Sequence, residues 1–154
     1  MAQIPLLDLV TMVHLIMLSM WGGVVATEAV IEIYPFRTHD LAEATIRLHF
    51  WIDLLVELPL VLAVVATGIA SVCLSEQITG MHVVKIAFAG AAVGVNLFCI
   101  VVVLRRDRQR RAGATPERLR RASQVVLACF AVGLACAAVA AVLGFSLSLT
   151  RMGG

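Results

Sequence analysis

Four apolar stretches fill most of this chain: about Leu6–Ile33, Ala42–Cys73, Thr79–Leu104 and Ser123–Leu149. Each exceeds the roughly 20 residues that carry an α-helix across a bilayer. Of the 154 residues, 61% are hydrophobic and 14% charged, against about 25% charged in an ordinary soluble domain. That leaves too few polar groups to coat a soluble domain, so most of the apolar surface is assigned to lipid. The expected fold is all-α, an integral membrane antiparallel four-helix bundle forming one domain over residues 1–154.

Charge sets the expected orientation. Eight of the twelve basic residues lie between Arg105 and Arg121, and Arg37 and Arg47 flank the first loop at Tyr34–Leu41, whereas the second loop near Ser75–Ile78 carries Glu76. Loops one and three are therefore expected in the cytoplasm and both termini outside, in a bacterial-type inner membrane. The basic segment fits this topological role better than nucleic-acid binding, and Thr115-Pro116-Glu117 within it reads as a helix start. The first span is too long, and lacks the basic leading region, for a cleaved signal peptide.

Two features concern packing alone. Gly90 and Gly94 form a G-x-x-x-G, and Gly133, Ala137, Ala141 and Gly144 continue small-residue spacing on the fourth span, so close packing of the last two helices is expected there. Cys73, Cys99, Cys129 and Cys136 have neither metal nor disulfide spacing and read as small apolar fillers. A bundle this small is expected to form homo-oligomers.

The chemistry lies in polar residues inside the spans. A charged side chain at mid-bilayer costs on the order of 2.5–3.5 kcal/mol on insertion scales, so each needs a partner or a purpose. On the first span His14, Trp21, Val25, Glu28 and Glu32 fall within about 40° of one stripe at 100° per residue. On the second, His49, Asp53 and Glu57 follow at i, i+4 and i+8. A hairpin turning near Phe36 sets residue 21 against residue 52 and His14 at the level of Glu57 and Pro59, so the two stripes share a wall. Lys85, Ala89, Ala92, Asn96 and Cys99 share a face of the third span, with His82 and Lys85 toward the outer surface, and the fourth span reads as a packing wall. Glu32, His39, Asp40 and Glu43 fall near the interface and read as solvated flank residues.

A bound cation makes such a set tolerable. His14, Glu28, His49, Asp53 and Glu57, with His82 or Asn96, offer imidazole and carboxylate donors suited to zinc, iron or manganese, and outnumber the needs of one tetrahedral ion. A centre of two or more metals fits that count. Structural pairing with Arg47 or Lys85 is the competing reading of any one of these residues.

His14 with Trp21-Gly22, Thr67-Gly68, and Lys85 with Gly94, Asn96 and Arg105-Arg106 resemble the HemJ-type protoporphyrinogen IX oxidases and the related CopD-like four-helix membrane domains, over roughly residues 6–106. The resemblance implies haem b on His14, with Lys85 functional and placed to hold a propionate. The chain departs from the pattern at Asn96, where the family tends to carry a histidine, and in His82-Val83-Val84-Lys85, where the family has His-x-Lys. Glu28, His49, Asp53 and Glu57 lie outside it, and their carboxylates are ordinary ligands of a metal ion but unusual around a porphyrin.

These observations lead first to a membrane metalloprotein, in which a metal-bound water would hydrolyse a lipid or small amphiphile with Asp53 or Glu57 as general base, or iron would do redox chemistry. Haem-dependent porphyrinogen oxidation, metal or proton transport along the acidic ladder, and a structural subunit docking through its arginines are the alternatives.

Overall fold

The computed structural model describes residues 5–33, 42–75 and 78–152. All regular structure among them is helical: α1 (Leu6–Ile33), α2 (Ala42–Ile52), a π-helical turn (Asp53–Glu57), α3 (Leu58–Cys73), α4 (Gly80–Arg111) and α5 (Pro116–Met152). Because α2, the π turn and α3 are continuous, the chain has four helices long and apolar enough to cross a membrane: Leu6–Ile33, Glu43–Cys73, Gly80–Arg111 and Pro116–Ser146. This is the all-α, four-helix membrane architecture that the hydropathy pattern predicts. The readings placed on Arg37, His39, Asp40 and Glu76 lie outside the described residues. The chain divides into two compact units, residues 1–77 and 78–154.

In the first unit α1 runs antiparallel to the second span, with His14 beside Thr67, Trp21 beside Glu57 and Glu32 beside His49. The register differs from the one that a turn near Phe36 predicts. His14 meets Thr67 rather than Pro59, and Trp21 meets Glu57 rather than Ile52. The reason lies at the hairpin end: Glu32, next to last in α1, is level with His49, so the start of α2 runs past the end of α1.

The π turn has a local cause in Pro59. Proline donates no N–H, and its ring clashes with the carbonyl four residues back, here that of Leu55, so the regular ladder cannot continue through this point. The chain widens by one residue, and the Leu58 N–H bonds to the Asp53 carbonyl. In a regular α-helix four residues overshoot a full turn by about 40°, so Glu57 would drift about 80° away from His49. The wide turn reduces the rotation per residue and keeps Glu57 inward with Asp53; both are buried.

This unit is polar inside and apolar outside. Leu9, Met12, Leu15, Ile16, Met20 and Val30 of α1 are exposed, while Glu28, Glu32, His49, Asp53 and Glu57 are buried together with Trp21, Ile46, Val61 and Val64. Hydroxyls on the spans, those of Thr11, Ser19, Thr27 and Ser71 among them, donate to the carbonyl four residues back and so need no water.

The second unit is the α4–α5 hairpin. The arginine-rich segment, read as a loop from Arg105 to Arg121, is mostly helix: α4 continues to Arg111, α5 starts at Pro116, and Gly113 turns the chain with φ +72°. Arginines in the last turn of α4 complement its dipole. The interface is buried at Ala92, Asn96, Cys99, Ile100 and Val103 of α4 and at Val126, Cys129, Phe130 and Ala140 of α5.

The expected role of the G-x-x-x-G is corrected. A Cβ on Gly90 or Gly94 would meet nothing within 4 Å, because both lie about 200° around α4 from the buried Ala92. The close approaches belong to α5 instead: Gly133 to Val95, and Gly144 to the end of Lys85. Nor is α5 a purely apolar wall, since Ser123 accepts a 2.9 Å hydrogen bond from Arg106, which is fully buried.

Candidate metal centre

Glu28 and Glu32 stand one turn apart on α1, and His49 and Asp53 one turn apart on the facing span. The hairpin brings all four together. His49 Nδ1 lies 2.9 Å from Glu32 Oε2. Its Nε2 lies 3.3 Å from Asp53 Oδ1 and 4.0 Å from Glu28 Oε2. One ligand atom from each of Glu28, His49 and Asp53 lies within 4.8 Å of the others, and these three side chains are 0%, 1% and 1% exposed.

The hydrogen bond to Glu32 orients the ring. A carboxylate only accepts, so Nδ1 carries a proton, and the ring is held with Nε2 turned toward Asp53 and Glu28. None of the four oxygens of Glu28 and Asp53 receives a hydrogen bond among the described residues, and all are sealed from solvent. No lysine or arginine is ion-paired with either carboxylate among those residues. Converging lone pairs in a dry interior repel unless a positive charge lies among them. Carboxylate and imidazole together are donors that zinc, iron and manganese accept.

Glu57 extends the site. Its Oε1 accepts a 3.3 Å hydrogen bond from the Trp21 indole N–H. Glu32 is corrected from the sequence reading: with 2% exposure it is an interior residue, not a solvated flank. Its place on the same stripe as His14 and Glu28, four residues beyond Glu28, was the signal; its closeness to the end of the span obscured it. Glu43, one of the other residues read as flank, is exposed.

The remaining candidates occupy other settings. His14 is fourteen residues from Glu28 on α1, about 21 Å along the helix. Its Nδ1 lies 2.9 Å from Thr67 Oγ1, and its ring packs where a Cβ on Gly68 would come within 3.2 Å. Within the second unit, His82 serves the start of α4, where its Nδ1 accepts from the Thr79 N–H at 3.2 Å and lies 2.8 Å from the Thr79 hydroxyl. Lys85 folds against Gly144, and Asn96 is buried one turn before Cys99. Compared with protein-family models, curated proteins and solved structures, the chain matches none.

Proposed function

We propose that this chain is an inner-membrane metalloprotein holding a divalent transition metal, zinc or iron foremost, inside its first helical hairpin through His49, Glu28 and Asp53. One observation carries the reading: Glu32 fixes the ring of His49 so that Nε2 joins the undonated oxygens of two fully buried carboxylates. A carboxylate behind a ligating histidine is the usual outer-shell device, setting the tautomer and raising ligand basicity. Burial of the Glu28 and Asp53 carboxylates without compensation would cost roughly 5–7 kcal/mol on insertion scales, a large share of the whole stability of a small protein.

Bound there, the ion would act as a Lewis acid or redox centre in a dry site, on a substrate small and lipid-soluble enough to arrive through the hydrocarbon. Glu57, held by Trp21, would serve as a general base or an additional ligand. Elemental analysis of chain purified in detergent and washed with a mild chelator tests the reading. Stoichiometric metal is expected in the wild type and less than a tenth of it in Asp53→Ala; a metal-free wild type, refractory to reloading with zinc, iron and manganese, overturns it.

A second reading places haem b on His14. What favours it is the tautomer: the Thr67 hydroxyl donates to the Ala63 carbonyl at 2.7 Å and therefore accepts from His14 Nδ1, leaving the lone pair on Nε2. The visible spectrum of the same sample separates the two. A Soret band at one haem per chain, lost in His14→Ala and kept in Asp53→Ala, puts the haem reading first.

A further inference from the structure

We infer that Cys99 of α4 and Cys129 of α5 form a paired-thiol site that closes reversibly to a disulfide and pins the two helices of the second unit together. The site does not depend on the metal centre of the first unit. Its co-reactant is an apolar two-electron oxidant that dissolves in lipid, of the organic hydroperoxide class.

Three contacts fix the register of this antiparallel pair. Arg106 donates to Ser123 at 2.9 Å, a Cβ on Gly133 would stand 3.6 Å from Val95 Cγ1, and a Cβ on Gly144 would stand 3.2 Å from Lys85 Cε. Cys99 lies four residues beyond Val95 on α4 and Cys129 four residues before Gly133 on α5, so the two are level. Counting from the other end agrees: Cys99 is seven residues before Arg106, and Cys129 is six residues beyond Ser123. Both are buried in the interface, at 4% and 8% exposure, and their side chains share a hydrogen bond. Ala92 and Gly133, small residues on the same faces, let the backbones approach. A disulfide requires such closeness, with Cα atoms about 4.4–6.8 Å apart. Cys136 stands about 10 Å further along α5, level with Ala92 and only half-buried.

The outer oxygen of the hydroperoxide bonds to one sulfur, its O–O bond breaks, and the departing oxygen takes the S–H proton and leaves as an alcohol. The sulfur is then a sulfenic acid. The second sulfur attacks the first, an S–S bond forms, and the sulfenic oxygen leaves as water with the second thiol's proton. The two thiols lose two electrons and the peroxide bond gains them. Burial slows the first step, because the thiolate is the better nucleophile, and the level partner speeds the second. All reactants and products are neutral, so no lasting charge is created in the hydrocarbon. A small dithiol reverses the link by exchange.

The test uses the full chain, reduced and reconstituted in lipid vesicles, treated with cumene hydroperoxide, blocked with a maleimide and digested with trypsin. Cleavage frees residues 86–105, which carry Cys99, and residues 122–151, which carry Cys129 and Cys136. Mass spectrometry is expected to find these two peptides joined through Cys129 in most chains and separated by reduction. The link should vanish in Cys129→Ser and persist in Cys136→Ser. Oxidation of the exposed Cys73 while Cys99 and Cys129 stay thiols overturns the inference, and so does a link through Cys136 or sulfenic acids that never condense. Should a serine variant fail to fold, fragmentation of the wild-type linked peptide locates the bond and decides by itself.

Discussion

Both units bury charge inside membrane-length helices, and they settle it differently. In the second unit Asp107, 2% exposed, meets Arg110 at 3.0 Å and Arg111 at 2.7 Å, and Arg106 donates to Ser123. Here anion and cation come from neighbouring turns of the same chain. In the first unit carboxylates gather around a histidine, and Glu28 and Asp53 take no lysine or arginine partner among the described residues. Charge that a fold neutralises internally reads as structure, whereas charge left to be neutralised from outside reads as a site.

The comparison breaks most visibly if one carboxylate is removed from each unit. Asp53→Asn is expected to lower metal affinity by on the order of a hundredfold or more, since a ligand matters at least as much as the outer-shell groups whose loss costs 10–100-fold. Asp107→Asn is expected to leave metal content unchanged and to lower stability by about 1–2 kcal/mol, because Arg111 is 61% exposed and recovers solvation once its partner is gone. Metal content and thermal midpoint, measured on both proteins in the same detergent, check the pair. Metal loss in Asp107→Asn would erase the distinction between the units.

A smaller effect sharpens the roles within the centre. Glu32→Gln still reaches His49 but offers neutral hydrogen bonding where a carboxylate stood. Metal affinity should fall 10–100-fold with the chain still folded. An effect as large as that of Asp53→Asn would make Glu32 a ligand rather than the group that orients one.

How much of this the sequence discloses follows from which forces act locally. The spans are legible because apolar length is a property of each segment alone. The ligand stripe His49, Asp53, Glu57 and its partner Glu28 are legible because helical period places them on faces. The hairpin register is not, because it depends on how far α2 overshoots the end of α1, and that shift of about two turns sets His14 against Thr67 instead of Pro59. Glu32 was misjudged because nearness to a span's end reads as nearness to water, which the overshooting helix prevents. The π turn had its signal in Pro59. The G-x-x-x-G misled because small residues mark a close contact only on a face that meets another helix, as Gly133 and Gly144 do.

The smallest expected effect compares two glycines that each face a side chain from the opposite helix of their own hairpin. A Cβ on Gly68 would stand 3.2 Å from His14 Cε1, and a Cβ on Gly144 would stand 3.2 Å from Lys85 Cε and 3.3 Å from Nζ. The distances are alike but the neighbours are not. His14 is a flat ring tethered through Nδ1 to Thr67, whose hydroxyl is itself tied to Ala63, so the ring has little room to retreat. Lys85 presents the far end of a flexible chain, which moves aside at small cost. Alanine is favoured over glycine within a helix by about 0.5–1 kcal/mol. Gly144→Ala should therefore be neutral or stabilising by up to that amount, whereas in Gly68→Ala the displaced ring cancels the gain and leaves a loss of about 0.5–1 kcal/mol. Thermal unfolding of both variants in detergent reads the sign. If Gly68→Ala also stabilises, His14 is not held in place by Thr67, and the fixed tautomer that favours haem on this histidine loses its basis.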